Sequence, residues 1–398
     1  MGMPVATDIV AGQRADDPLY IPAVRRVHEG LGEKGLLYVG DSKMGAIGTR
    51  AFVHAQEDYY LTPLSRVQLP EEELLPYLEP VWERKQALTE IDRTKVDGEE
   101  TRIAQGYETQ VELTAIVEGQ TVRWTERRLV VRSLKQVRTA RTRLKKRLEK
   151  AKGAVLALNE RGRGKRRYDT VAELRQAAQE ILREHKVQGL LSLDFEVETH
   201  ERTIRGYRER PTRTVVERDA WVRVERNEAA VEERLRAKGW RVYATNAPAA
   251  QLPLSQAVLA YRNQYLVERG CGRLKGRPLS ITPMYLQRDD HATGLIRLLS
   301  IALRILTLFE FLVRRRLAQE GEELAGIYKG NPTRSTARPS TELMLEAFEY
   351  ITLTIIHETH RVLRHLTPLN PTQQRILELL DIPPDVYTRL ASESPIPT

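Results

Sequence analysis

Four polar residues are spaced so that an α-helix would carry them on one face. They are Tyr261, Gln264, Glu268 and Lys275, at intervals of 3, 4 and 7 residues. At about 100° per residue, all four fall within about 60° of the helix circumference. A carboxylate can hold a metal ion while neighbouring phenol, amide and amine groups contact phosphate oxygens. The spacing therefore predicts metal and phosphate chemistry on this helix.

Two other faces of the same helix support this interpretation. The adjoining face is apolar, so we expect it to pack on a protein core, with Cys271 as a small core residue; it holds Val267, Cys271 and Leu274. The third face is basic, so we expect it to contact a polyanion such as DNA; it holds Arg262, Arg269 and Arg273.

A second carboxylate, Asp41, follows a short apolar run over residues 36–40 that is typical of a buried parallel strand. By itself Asp41 could equally cap a helix expected from about Met44 to Ala55. If the helix that bears Glu268 lies against the sheet, however, Asp41 and Glu268 are suitable ligands for divalent ions. Two such ions can serve the attacking and leaving oxygens of a phosphodiester displacement.

Positive charge is concentrated in one element. Residues 134–167 contain 14 Lys and Arg against 2 Asp and Glu, an excess of +12 in a chain whose net charge is +9. A run of this kind can be merely a solvated helix face. Its excess favours phosphate contact instead, and we single out four side chains for that role, Lys145, Lys146, Arg166 and Arg167.

Composition limits the other classes of function. A chain of 398 residues with a hydrophobic fraction of 41% predicts a soluble protein of two or three domains. The single cysteine excludes an intrachain disulfide, and we expect a reducing compartment such as a bacterial cytoplasm. No signal pattern is expected at the N-terminus. Charges interrupt the most apolar stretch, 295–313, so we predict a buried helix and no membrane span there.

The order of elements predicts an α/β protein with an interruption. Residues 1–64 predict β-α-β-α-β, beginning with a strand at Pro4 to Val10. Residues 65–250 predict a charged α+β insertion with a hairpin around Glu118-Gly119-Gln120. The remaining predicted segments are a second core segment with the polar-striped helix at 251–325, a linker at 326–340 and a helical tail at 341–398, in which His357-Glu358-Thr359-His360 belongs to an amphipathic helix.

These residues resemble insertion-sequence transposases of the DDE, RNase H-like superfamily. The matching groups have a Tyr-x2-Arg-x3-Glu-x6-Lys signature, and this chain has Tyr261, Gln264, Glu268 and Lys275, with Gln at the Arg position. The strand ending at Asp41 resembles the strand that bears the family's second Asp. The resemblance covers roughly residues 1–320. It implies an RNase H-like mixed sheet flanked by helices and interrupted by a large, mostly β insertion.

The resemblance also implies a function. It is the cutting and joining of insertion-sequence ends by two-metal phosphoryl transfer, with Mg²⁺ or Mn²⁺ held by Asp41 and Glu268. The implied partners are transposon terminal inverted repeats, target DNA and a second copy of the chain on DNA. The residues that would contact DNA include Tyr261, Gln264 and Lys275, although Gln264 lacks the charge of the signature Arg.

One catalytic residue of the family has no counterpart here. The family's first Asp lies on the first strand of the sheet, and the strand expected at Pro4 to Val10 matches the third, so Asp8 lies in the wrong strand. We therefore expect the chain to be truncated at its N-terminus or to be one part of a split protein. The alternative function is a catalytically inactive relic or regulator that binds DNA.

Less specific interpretations of the same residues remain open. Tyr261 could be half-buried core, and Glu268 could be a solvated helix glutamate or part of an i,i+4 ion pair.

Overall fold

The computed structural model describes residues 2–94, 98–162, 164–204, 213–358 and 362–391. The chain forms two compact units, one of Lys34–Tyr261 and one of Met1–Glu33 with Arg262–Thr398. The first contains a curled, mixed six-stranded sheet flanked by helices, and the second is mainly helical. The prediction of a mixed α/β protein is therefore confirmed. Helices and strands are numbered in chain order below.

The chain begins with a non-strand segment and a helix. Residues 4–10 form no strand, so the strand predicted at Pro4 to Val10 is wrong. A short apolar run is not enough, because a strand needs a neighbour for its backbone groups. Asp8 instead pairs with Arg26 on α1 (Tyr20–Leu31). This helix follows a 3₁₀ turn at Asp17–Leu19.

The β-α-β unit around Asp41 is confirmed. Strand β1 (Leu37–Val39) pairs in parallel with β2 (Tyr59–Pro63), and α2 (Ile47–Ala55) connects them. β1 lies at one edge of the sheet, and Leu37 and Val39 are exposed. The helix and both strands come from short apolar runs at the expected positions, but the predicted burial of the first strand is wrong, because β1 has a neighbour on one side only.

The predicted hairpin is also present and belongs to the same sheet. Strands β4 (Glu100–Val117) and β5 (Gln120–Ser133) pair from Ala104 to Val117 around Glu118 and Gly119, both at positive φ. β3 (Thr89–Thr94) pairs with β4, and β8 (Trp240–Thr245) lies between β5 and β2, antiparallel to both. The sheet order is β1-β2-β8-β5-β4-β3. One sheet therefore includes strands from both sides of residue 64, the predicted end of the first segment.

A second hydrophobic core lies beside the sheet, in the same unit. It combines helices with two strands, in agreement with the α+β character predicted for this region. The elements that form it are α4 (Leu134–Leu156), α5 (Val171–Glu184), β6 (Leu191–Ile204), β7 (Arg213–Arg226) and α6 (Glu228–Arg236). Another helix, α3 (Glu71–Trp82), was not predicted, because Pro76 and Pro80 lie inside it.

The long helix α9 (Asp289–Glu320) organises the other unit. Its last turns pack with Leu324, Ile327, Met344 and Ile376 in one core, so part of the predicted linker is buried. After Tyr261, this unit also contains the following α-helices and β-strands: α8 (Tyr265–Lys275), β9 (Leu324–Ala325), β10 (Ser335–Thr336), α10 (Thr341–Glu346), β11 (Leu353–His357), β12 (Val362–Leu366), α11 (Pro371–Leu379) and α12 (Asp385–Thr388). Among the described residues, no helix has the length and apolar character needed to cross a membrane.

The predicted helical tail is helical where it begins, at α10, and again at α11 and α12, but the prediction is wrong between them. Residues 353–357 and 362–366 form the antiparallel hairpin β11-β12. The run Leu353-Thr-Ile-Ile is rich in β-branched residues, which favour an extended backbone. His357 ends β11 and is therefore not helical, whereas Thr359 and His360 lie outside the described residues.

A buried carboxylate joins α2 to the sheet. Glu126 on β5 is fully buried, and its Oε2 accepts hydrogen bonds from Arg50 on α2 and, at 2.5 Å, from the hydroxyl of Tyr60 on β2. Its Oε1 lies 2.7 Å from Nε of Arg128. The indole of Trp124 donates to the Tyr60 hydroxyl at 2.8 Å. Burial and the neighbouring Glu126 charge raise the pKa of Tyr60, so its hydroxyl remains a donor.

We expect Glu126→Ala to lower the free energy of unfolding by about 3–5 kcal/mol, because the change leaves buried cations without their partner. Chemical denaturation followed by tryptophan fluorescence measures it. Glu112→Ala on the neighbouring strand is the matched control, since Glu112 is exposed, and should change stability by less than about 0.5 kcal/mol. Equal effects of the two variants would contradict the role given to Glu126.

A neutral histidine is also built into this unit. The Asn246 side chain accepts from Tyr60 N at 2.9 Å, so its amide nitrogen faces Asp58 O at 2.8 Å and His54 Nδ1 at 3.2 Å. His54 Nδ1 must therefore accept a hydrogen bond, and the ring stacks on Trp124. Burial lowers the pKa of His54 below its usual value.

This lowered pKa predicts a loss of stability in mild acid. The unfolded chain takes up a proton at His54 below about pH 6.5, whereas the folded chain does so only at lower pH, so stability falls as pH drops through that window. His54→Phe keeps an aromatic ring on Trp124 and removes the titration. The denaturation midpoints at about pH 7.5 and pH 5.5 should therefore differ less in the variant than in the wild type. The same difference in both proteins would refute the role given to His54.

Candidate functional site

Asp41 lies in a loop whose backbone is held in place. The hydroxyl of Thr62 donates to Asp41 O at 2.6 Å, and Gln68 Nε2 donates to Ser42 O at 2.9 Å. At the far end of the loop, Arg50 Nε donates to Gly45 O at 2.9 Å. Because Arg50 is itself paired with Glu126, the buried network described above extends to this loop.

The Asp41 carboxylate is exposed at the end of β1, as predicted. Its Oδ1 accepts from Lys43 N at 2.9 Å, which stabilises the turn. It is not the N-cap of α2, because that position is Ala46. The capping interpretation therefore applies to the local turn and not to the helix.

Asp41 and Tyr261 line a cavity of about 450 Å³. Glu71, at the start of α3, lines the same cavity, and sequence reasoning missed this carboxylate. The run Glu71-Glu72-Glu73 after Pro70 is a helix N-terminal signal that identifies this position. Three cations line the same cavity, Arg66, Lys238 and Arg241. Carboxylates and cations together suit a phosphate ester that arrives with a divalent ion.

The predicted polar stripe is divided between two helices. Helix α7 (Leu254–Arg262) ends one residue after Tyr261, and α8 begins at Tyr265, so the prediction of one continuous helix is wrong. Tyr261 is half-buried and packs on Tyr243, with ring centroids 4.9 Å apart. Gln264 is the N-cap of α8. Glu268 and Lys275 are exposed on α8, within the helical unit.

The basic and apolar faces of α8 are exchanged relative to the prediction. Val267 and Cys271 are exposed, so Cys271 is not a core residue. Arg273 is buried and Arg269 is half-buried, and both pair with Glu310 in the middle of α9. Arg273 also pairs with Glu342 at 2.7 Å, and Arg314 pairs with Glu310 at 2.7 Å.

This cluster explains the orientation of α8. Glu310 is a buried acid in an otherwise apolar stretch and needs cations beside it. Although burial alone would lower the pKa of Arg273, hydrogen bonds to Glu342 and Glu310 hold that pKa above its usual value. The guanidinium groups of Arg269 and Arg273 thus serve an internal ion cluster. Their contact with DNA stays a prediction, as does that of Arg262.

The predicted basic element is exposed in part. Lys145 and Lys146 lie exposed on α4. Arg166 lies over the ring of Tyr168 at 5.0 Å, and Arg167 pairs with Asp219 at 2.6 Å and Glu217 at 3.1 Å. The charge of Arg167 is therefore already balanced, whereas the lysines of α4 remain available for a ligand.

The donor groups fit a divalent ion only in part. Mg²⁺ is commonly held by one or two carboxylates together with waters and substrate phosphates, and Asp41 and Glu71 supply oxygens of that kind. Across the described residues, however, no three His, Cys, Asp or Glu side chains are grouped so that they could share a metal ion. An all-protein metal cage is therefore not formed within this part of the chain.

Comparisons of the chain with protein-family models and with curated proteins return no match.

We expect Glu310→Ala to destabilise the helical unit by about 3–5 kcal/mol, because Arg269, Arg273 and Arg314 would lose the buried acid that they share. Thermal unfolding followed by circular dichroism at 222 nm measures this change. Glu322→Ala is the control: Glu322 is an exposed partner of Arg375 and should contribute less than about 1 kcal/mol. A variant at Glu310 as stable as the control would exclude the cluster as the anchor of α8.

Proposed function

We propose that this protein is a DNA transposase of the DDE type that cuts and joins the ends of an insertion sequence by phosphoryl transfer. The observation that carries the proposal is Asp41: an exposed carboxylate at the end of a parallel strand, in a loop held by three hydrogen bonds, facing a cavity with several cations. The signature residues Tyr261, Glu268 and Lys275 support it.

Each residue has a role that its chemistry allows. Asp41 would be a ligand of Mg²⁺ or Mn²⁺, which when bound stabilises charge on the attacking and leaving oxygens. Arg66 and Arg241 would bind phosphate oxygens in the cavity around Asp41. In the other unit, Glu268 and Lys275 have the residue types that the resemblance assigns to metal binding and phosphate contact. Glu71 is a further carboxylate for this site. A rigid loop matters because small displacements of a reacting group are costly in rate.

A second candidate function is a DNA-binding regulator without catalysis. It is favoured by the lack of a grouped set of three metal-ligating side chains in the described residues. The two candidates share DNA binding and differ only in cleavage. They are therefore separated by an assay that measures both on the same preparation.

We expect Mg²⁺-dependent nicking or cleavage of a plasmid that carries the DNA flanking the coding sequence. Asp41→Asn and Glu268→Gln should each lower the cleavage rate at least about 100-fold, because even outer partners of metal ligands can cost this much. Binding of the same DNA in a gel-shift assay should persist, since neither change removes a cation.

Matched controls are Asp169→Asn and Glu322→Gln, at exposed acids in the respective units, and both should cleave at the wild-type rate. DNA binding without cleavage by the wild-type chain, with Mg²⁺ and with Mn²⁺, would favour the regulator. Cleavage unaffected by Asp41→Asn would remove Asp41 from the site.

A further inference from the structure

A second cavity, of about 570 Å³, lies between α4 and the C-terminal end of α6. We call it the α4–α6 cleft, and its lining residues are Ala140, Leu144, Leu235 and five cations, Arg143, Lys146, Arg147, Arg234 and Lys238. Within the described part of the chain, no acidic side chain lines it. Only Lys146 of these cations was singled out from the sequence.

Among the described residues, no counter-ion is paired with a cation of the α4–α6 cleft. The acids of α6 pair elsewhere: Glu228 with Arg226 at 3.0 Å, Glu232 with Arg141 at 3.0 Å and Glu233 with Arg236. For the residues that the structure describes, none of the five cleft cations forms an ion pair. The Nε of Arg147 is buried and has no hydrogen-bond acceptor among the described residues.

Helix electrostatics account for some of these residues but not for all. Arg234 and Lys238 lie at the C-terminal end of α6, where the helix dipole favours positive charge. Arg143, Lys146 and Arg147 lie in the middle of α4, far from either end. Arg143 and Arg147 are an i,i+4 pair of like charges, which repel each other. The apolar residues Leu144 and Leu235 of the lining strengthen that repulsion by lowering the local dielectric.

We propose that the α4–α6 cleft binds the phosphodiester backbone of DNA. A bound anion would relieve the repulsion among the cations by supplying the negative charge that the lining lacks. An extended polyanion fits better than a compact one, because α4 has 23 residues and spans about 35 Å. Two further exposed cations, Lys135 and Lys150, lie along α4 within about 60° of Lys146 around the helix axis.

The position of Lys238 connects this cleft with the candidate site. Lys238 lines both the α4–α6 cleft and the cavity that contains Asp41. A DNA strand along α4 would therefore be led towards Asp41 within the same compact unit. The inference thus deepens the proposed function by naming a surface for the DNA, but the binding it predicts does not require cleavage.

The test is binding of a fluorescently labelled duplex of about 30 base pairs to the full chain, followed by anisotropy between about 0.05 and 0.3 M NaCl. Arg143→Gln/Lys146→Gln/Arg147→Gln should weaken binding at least about tenfold near 0.1 M salt. It should also reduce the slope of log affinity against log salt by about 2–3, since each phosphate contact contributes about 0.9.

The matched control is Arg123→Gln/Arg183→Gln/Lys186→Gln, which removes three exposed cations from other surfaces of the same unit. It should leave affinity and slope within about twofold of the wild type. The cleft variant should be at least as stable as the wild type to heat, because it loses like-charge repulsion; this confirms that it is folded.

Wild-type affinity and slope in the cleft variant would overturn the inference, whatever the cleavage assay shows. Equal weakening by the control variant would also overturn it, because the effect would then be one of general charge. Binding to vesicles that contain phosphatidylserine, without binding to the duplex, would overturn the inference as well. Loss of cleavage in Asp41→Asn with intact, cleft-dependent binding would support both proposals, and cleft-dependent binding without any cleavage would support the cleft alone.

Discussion

The structure of the sheet unit depends on one buried acid, Glu126. A fully buried carboxylate is strongly unfavourable unless it is paired and hydrogen-bonded. Here it gathers Arg50 from α2, Tyr60 from β2 and Arg128 from its own strand. These contacts determine how α2 lies on the sheet. Because Arg50 also donates to Gly45, the same pairing sets the end of the loop that begins at Asp41.

The helical unit uses the same physical solution. Glu310 occupies the middle of α9 and is neutralised by Arg269, Arg273 and Arg314. In both units a charge inside the core specifies one arrangement, since any other would leave that charge unpaired. The exposed residues assigned to function, Asp41 and Glu268, are thus carried by elements whose orientation is set by buried ion clusters.

Sequence patterns predicted the elements that depend on local signals. The strand before Asp41, the hairpin at Glu118-Gly119 and the basic helix α4 follow from apolar runs, turn residues and composition. The tail hairpin was missed although its β-branched run was a usable signal. Helix α3 was hidden by its two prolines, and with it the position of Glu71.

The candidate site was less predictable, because helical periodicity treats every charge as exposed. It placed Arg273 on the surface and Cys271 in the core, whereas an ion pair with a distant acid reverses the two. It also continued one helix through Asn263 and Gln264. The two halves of that segment have different contacts: Tyr261 packs on Tyr243, and Arg269 pairs with Glu310. These partners are distant in sequence, so the periodicity of the segment itself does not reveal them.

The edge position of β1 has a consequence for handling the protein. The backbone groups of Leu36 and Gly40 bond to β2, so by alternation those of Leu37 and Val39 point away from the sheet. Such an edge is a template for strands of other molecules, and its exposed apolar side chains add to the attraction. With only three residues it offers few bonds, so self-association at this edge should be weak, reversible and steeply dependent on concentration.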